Sequence, residues 1–188
     1  NSFVAALDQL SQVWSARLAH HSRCVTPGIA KLLVMHGVPA AKTTVIGNGT
    51  DVKAWGPMPG HEHAGATVTL GFIGILSKWQ GLETALKALR ILRSKGDYTL
   101  HVVGDGPERA KLEALAQKLG IVDRVSFFGH VDYCQAPAHV AEFDICLAPF
   151  TRERNERIGL APIKIRDYAA AGKPVVAAAI PGITDLSD

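Results

Sequence analysis

In the stretch "GLAPIKIRDYAAAGKPVV", residues 159–176, three residue types stand where a helix would begin: Pro162, Lys164 and Asp167. The fixed φ of proline suits the first helical position. Lys164 and Asp167 are three apart, so on a helix they share a face about one turn from each other. A helix N-terminus carries roughly half a unit of positive charge, so a lysine in the first turn with an aspartate after it opposes the dipole. The spacing allows a simple i,i+3 pair. It also allows a site in which the free N–H groups and Lys164 hold a diphosphate while Asp167 accepts hydrogen bonds from an adjacent ribose. The second chemistry predicts a nucleoside diphosphate rather than free phosphate.

Other loops carry weaker signals. "GILSKWQG", residues 74–81, places Lys78 and Trp79 at the tip of a strand-to-helix turn. Lys78 either reaches over a phosphate or is solvated beside a tryptophan packed under the loop. "VVGDGPER" offers Gly104 and Gly106 at the start of a helix, where bare backbone can approach a phosphate. The third glycine of a dinucleotide fingerprint would fall at Arg109, so that fingerprint fails, and taken alone the stretch reads first as a plain strand-to-helix turn. "FTRERNERIGLA" interleaves Arg152, Arg154 and Arg157 with Glu153 and Glu156. It reads as a solvated loop or as a flap that closes on a ligand. His130 follows Gly129 at a strand end and could border a pocket, and His101 falls within a strand. "HEH" at 61–63 has no further ligands nearby and makes a poor metal site. No G-x-S-x-G nucleophile elbow is present.

These residues need a scaffold, and the hydrophobic pattern supplies one. Strands are predicted over "TVTLGFIG", "YTLHVVG", "RVSFFG", "DICLAPF" and "KPVVAAAI". Helices are predicted over "GLETALKALRILRSKG", "PERAKLEALAQKLG", "YCQAPAHVAEF" and the stretch beginning near Pro162. The first of these puts Leu82, Ala85, Leu86, Leu89 and Leu92 on one face. Strict alternation with apolar strands means an α/β, doubly wound parallel sheet covered on both faces. Such sheets bind ligands at the carboxyl ends of their strands, which selects the loops 74–81, 104–107, 129–132 and 149–162. Ahead of this unit come a helix over residues 1–20, a short strand in "RCVTP", a helix over "GIAKLLVMHG" and a β-branched run ending in an Asn-Gly-Thr-Asp turn. Residues 56–66, "GPMPGHEHAGA", are rich in glycine and proline and read as a linker.

The bulk numbers fit this picture. The chain has 188 residues, 47% of them hydrophobic and 20% charged, with a net charge of +3. That describes a globular protein able to bury a core, and excludes nucleic acid as a bulk electrostatic partner. Cys24, Cys134 and Cys146 are odd in number and form no C-x-x-C pair, as expected of ordinary buried thiols in a reducing compartment. No apolar run reaches the ~20 residues of a membrane span, and no signal peptide is visible. Both ends of the chain read as cut from something larger.

Taken together, these motifs resemble retaining glycosyltransferases of family 4. "PIKIRDYAAAGKPVVA" is similar to that family's P-x-K-x-x-E-Y-x-A-x-G-K-P-V-V segment. "VIGNGTDVKAW" resembles its V-I-P-N-G-V-D segment, "FIGILSKWQGLETALKAL" its phosphate loop, and "HVVGDGPER…VSFFGHV" its V-G-D-G-P…V-x-F-x-G-x-V stretch. The resemblance covers about residues 20–183. It implies one half of a GT-B fold. Residues 1–55 would be the tail of an N-terminal acceptor domain and the interdomain connection, 56–66 a linker, and 67–188 a C-terminal nucleotide-sugar-binding domain truncated at its end. Lys164, with Lys78, would act on the diphosphate. Asp167 would take the ribose, and Pro162 and Ile163 would line the helix start. Gly129, His130 and Val131 would face the base, Gly159 and Leu160 the donor sugar, and Gly74 and Gly104 the phosphate loops.

This chain departs from the family pattern at four places. Ile75 stands where an arginine is frequent, and Gln80 where a lysine is frequent. Asp167 stands for a glutamate, and Gly159 lies eight residues before it, where a second acidic residue would be. The implied activity is transfer of a sugar from a nucleoside diphosphate sugar to a glycan, lipid or small-molecule acceptor with retention. It would need no metal and no cofactor, since a helix N-terminus and lysines can stabilise the departing diphosphate. The implied location is cytoplasmic, with peripheral association at the inner membrane face open through a further N-terminal domain. Two alternatives remain open at the level of sequence: a non-catalytic nucleotide-sugar-binding module, and a GT-B-type nucleotide-sugar epimerase.

Overall fold

The computed structural model describes residues 2–56, 67–153, 155 and 159–183, with backbone only for 2–9. The expected linker therefore lies almost entirely outside the described residues, as do His61, His63, Arg154, Glu156 and Arg157. By contacts the chain forms two units. The first comprises Asn1–Asn48, Glu153–Ala161 and Ile180–Asp188; the second comprises Gly49–Arg152 and Pro162–Ala179. The linear division at residues 55 and 67 thus differs from the contact grouping. Gly49–Trp55 belong with the second unit because Trp55 is buried in a cluster with Val103, Val140, Phe143, Cys146 and Tyr168. Its indole N–H also donates to the Tyr133 hydroxyl at 2.8 Å.

The first unit holds α1 (Ser2–Leu18), β1 (Ser22–Cys24), α2 (Pro27–Met35) and β2 (Thr43–Val45), with β1 and β2 paired in parallel. Thr26 caps α2: its side chain accepts from Ile29 N at 3.1 Å, with Pro27 at the first helical position. That hydrogen bond satisfies one of the N–H groups a helix start leaves open.

The second unit holds β3 (Thr67–Ile73), α3 (Leu82–Leu92), β4 (Asp97–Val103), α4 (Arg109–Leu119), β5 (Val125–Gly129), α5 (Ala136–Ala141), β6 (Ile145–Ala148), α6 (Ile163–Ala170) and β7 (Val175–Ala177). Its five strands form one parallel sheet in the order β5-β4-β3-β6-β7. The doubly wound sheet read from the sequence is therefore the fold. Successive connections run outward from β3 in one direction and then return to lay β6 on its other side. The switch point lies between the carboxyl ends of β3 and β6, where such sheets open a crevice.

The leucine face of α3 packs as its spacing predicts. Leu82, Ala85, Leu86 and Leu89 are buried against Leu70, Phe72, Leu100 and Val102 of the sheet, and Leu92 packs at the margin. Each fully buried leucine contributes about 2 kcal/mol. Three details depart from the sequence reading. The "YCQAPAHVAEF" helix is only Ala136–Ala141. Arg152, Glu153 and Asn155, read as loop, are helical, and Asn155 is fully buried. Cys134 is exposed on the turn before α5, whereas Cys24 and Cys146 are buried.

Candidate functional site

The helix that opens near Pro162 places its lysine at the switch point. Pro162 is the extended N-cap of α6, one residue earlier than expected, and Ile163, half exposed, is its first helical residue. Lys164 follows. Its Nζ donates to Gln80 Oε1 at 2.8 Å and lies 3.7 Å from the centroid of the Phe72 ring and 5.4 Å from that of Phe150. Phe72 is on β3, Gln80 in the loop that follows it, and Phe150 just beyond β6. Among the described residues no carboxylate pairs with this ammonium. Burial pushes its pKa well below the usual lysine range, because a low-dielectric site disfavours the charged form.

The i,i+3 pair that the spacing allowed does not form. Lys164 donates to Gln80, and Asp167 has a different partner: its Oδ1 accepts the hydroxyl proton of Thr50. Asp167 is only 5% exposed. Burial raises its pKa, and the Thr50 hydrogen bond opposes that shift.

Glycines let the surrounding loops close to backbone contact. At Gly81, φ is +75°, and an added Cβ would sit 2.0 Å from Pro149 O. At Gly104, φ is +122°, and a Cβ would sit 2.1 Å from Gly74 O. The loop after β3 is thereby tied to its neighbours on both sides. Thr151 N donates to Trp79 O at 3.0 Å, and Trp79 stacks on Phe150 with centroids 5.8 Å apart. Leu76 N donates to Asp105 O at 2.9 Å, and Gly74 N to Val103 O at 2.9 Å. The Gly-Asp-Gly-Pro turn thus uses its bare backbone to pack against the neighbouring loop. Gly74 also leaves room for the cation: a Cβ there would lie 2.9 Å from Lys164 Nζ.

The remaining expected residues are placed as follows. Lys78 is exposed on a one-turn helix, Lys78–Gln80, while Trp79 packs beneath it. Lys164 therefore meets Gln80 rather than Lys78. Gly129 ends β5 and its carbonyl accepts from Gly104 N at 2.7 Å. His130 is exposed, and Val131 packs against the cluster around Trp55. His101 meets the rings of Phe128 and Phe143 edge-on. Gly159 and Leu160 belong to the first unit, where Leu160 N donates to Pro181 O at 3.1 Å.

Sequence reasoning missed four residues here. Phe72 and Phe150 looked like core strand residues, and no periodicity marks them as facing a cation. Arg109 stands where a dinucleotide fingerprint needs its third glycine, which carries no hint of its partners. It pairs with Asp105 at 2.8 Å and Glu113 at 2.9 Å, and one of its guanidinium nitrogens would lie 3.0 Å from a Cβ on Gly129. The hydrogen bond from Gly106 N, then that from Arg109, holds the Asp105 carboxyl below the usual range. Thr50 sat in a turn signal and gave no hint of a carboxylate partner.

Ser77 Oγ, in the loop after β3, is buried without a hydrogen-bond partner among the described residues. The lysine ammonium and the α6 N-terminus together offer donors and positive charge, the chemistry that suits an anion with several oxygens. Among the described residues no group of three or more His, Cys, Asp or Glu could hold a metal, and no helix is long and apolar enough to cross a membrane.

Known proteins share both sequence and fold with this chain. A 2-deoxystreptamine glucosyltransferase of Streptomyces kanamyceticus is 33% identical over 117 residues, covering 62% of this chain and 29% of the relative. A lipopolysaccharide 1,6-galactosyltransferase of Escherichia coli is 29% identical over 129 residues, covering 68% and 35%. The chain thus spans about a third of the length of these curated relatives. Anabaena HepE, solved with UDP and glucose, superposes with a TM-score of 0.77 at 23% identity, over 96% of this chain and 50% of that one. The architecture is one half of a GT-B fold, and residues 67–188 match the family described as glycosyl transferases, group 1, to which this chain belongs.

Proposed function

We propose that the full-length protein transfers a sugar from a nucleoside diphosphate sugar to an acceptor hydroxyl, with retention, as a family 4 enzyme. The observation that carries this reading is Lys164: a half-buried lysine whose ammonium lies against the Phe72 ring and Gln80 with no carboxylate partner among the described residues, held at the switch point in the first turn of α6. A charge partly withdrawn from water and left unpaired is costly, and a bound diphosphate would offset that cost. As the glycosidic bond to the diphosphate breaks, charge develops on the departing phosphate oxygens. A fixed cation and helix N–H groups can stabilise that charge without reorganising. The same groups suffice without a metal, and we assign none. Asp167, on the same helix, is assigned to the ribose together with Thr50 from the turn after β2, and the carboxyl end of β5 is assigned to the base. That HepE has been solved with UDP and with UDP-glucose supports the donor class. The relatives' glucosyl and galactosyl transfer supports a hexose, and a cytoplasmic location follows the donor.

The test is calorimetry and turnover with the full-length protein, using UDP-, GDP- and ADP-sugars. Lys164→Ala should lower turnover by about 10²-fold, as loss of one such donor does. Unchanged turnover would overturn the role of Lys164. A second reading, a binding module without catalysis, is favoured by neutral Gln80 and exposed Ile75 where the resembling family frequently carries cations. Donor binding without transfer to any acceptor would select it. Isomerisation of the donor without an acceptor would select the epimerase.

A further inference from the structure

This inference rests on the reading of α6 as a nucleotide site. Two places where the chain differs from the pattern it resembles touch each other. The Asn-Gly-Val-Asp turn has become Asn48-Gly49-Thr50-Asp51, and the glutamate of the later segment has become Asp167. Thr50 Oγ1 donates to Asp167 Oδ1 although 117 residues separate them in sequence.

Both residues lie in the second unit. Asp167 is buried, whereas Thr50 is only half-buried. The aspartate is one methylene shorter than a glutamate, and Thr50, the more exposed of the two, donates to its carboxylate. A threonine hydroxyl has one proton and two lone pairs. With its proton committed to Asp167, Thr50 can only accept from a further partner.

We propose that Thr50 and Asp167 act as one ribose-recognising pair, in which the Thr50 oxygen accepts a hydrogen bond from a ribose hydroxyl and Asp167 fixes its orientation from behind. Thr50 is thus the residue that distinguishes ribose from a sugar lacking those hydroxyls, and Asp167 is its positioning residue. The carboxylate also polarises the hydroxyl and makes it a stronger acceptor, because hydrogen bonds in a chain reinforce one another.

The experiment compares UDP with its dideoxyribose analogue by calorimetry on the full-length protein, using wild type, Thr50→Val and Thr50→Ser. The wild type should prefer UDP. Thr50→Val, nearly isosteric, should weaken UDP binding by about tenfold, the loss expected for one hydrogen bond to a polarised group. It should leave the analogue's affinity unchanged, and Thr50→Ser should restore the preference. Retained analogue binding itself reports a folded site. An unchanged preference in Thr50→Val, or a parallel loss of both ligands, overturns the pair. A wild type that binds both ligands equally overturns it while leaving the nucleotide site intact. A wild type that binds neither these nor the GDP and ADP counterparts overturns the site as well.

Discussion

Lys164 Nζ lies 3.7 Å above the ring of Phe72, a side chain with no exposed surface, and its hydrogen bond goes to a neutral amide, Gln80. An aromatic face and an amide oxygen steady the ammonium but leave its charge unneutralised. In the empty protein that arrangement is destabilising, because desolvation is met by no opposite charge. Lys164→Met should therefore raise the melting temperature of the ligand-free protein by a few degrees, each kcal/mol being worth about 2–4 °C for a chain of this size. The same variant should lose the stabilisation that UDP gives the wild type. A melting temperature that falls, with the UDP shift intact, contradicts this account.

The depressed pKa of Lys164 gives a pH dependence with a definite sign. In the folded, empty protein this lysine loses its proton below 10.5, while in the unfolded chain it keeps it. Between the two values the unfolded state binds more protons, so the contribution of Lys164 to stability grows as pH rises through that window. A bound diphosphate favours the charged form, so binding should take up protons and weaken as pH rises through the depressed value. Calorimetry of UDP binding in buffers of different ionisation enthalpy should show this uptake in the wild type and not in Lys164→Met. Equal uptake in both would assign the proton elsewhere.

Gln80 supplies the sharpest contrast. It is 3% exposed and accepts from Lys164 at 2.8 Å. Gln80→Glu keeps the shape but places a carboxylate where the amide was. The resulting ion pair should raise the melting temperature of the empty protein and lower affinity for UDP by about tenfold or more, since the anion must now displace an internal one. Stability and binding moving in the same direction would refute the idea that Lys164 is held in reserve for an anion.

The sheet, its order of elements and the position of Lys164 were legible because they rest on local signals: apolar periodicity, a proline at a helix start, a lysine in the first turn. What the side chains choose as partners was not. Lys164 and Asp167 are neighbours on one helix, yet they part, one toward Gln80 and one toward Thr50. Both choices depend on loops from strands far away in sequence. Phe72 and Phe150 read as core because burial and service to a cation leave the same sequence pattern. The helical character at Arg152, Glu153 and Asn155 was hidden by interleaved charges without an apolar face. The glycines at 104 and 106 were legible as a turn, but not that their loop packs against the Gly74–Leu76 backbone.

That packing can be tested at Gly104, with Gly120 as the control. Both have positive φ, +122° and +65°. An added Cβ at Gly120 would meet nothing within 4 Å, whereas at Gly104 it would be driven into the carbonyl of Gly74. Gly120→Ala should cost about 1 kcal/mol, the strain of a left-handed residue alone. Gly104→Ala adds a steric overlap with rigid backbone and should cost about 3 kcal/mol. Because Gly74 flanks Lys164 Nζ, any relief of the overlap must shift the backbone beside the cation. Gly104→Ala should therefore also weaken UDP binding, while Gly120→Ala, at the far end of α4, should not. Denaturant melts and UDP titrations on the two variants check both halves. Equal destabilisation would show that φ, and not the loop contact, sets the requirement for glycine at 104.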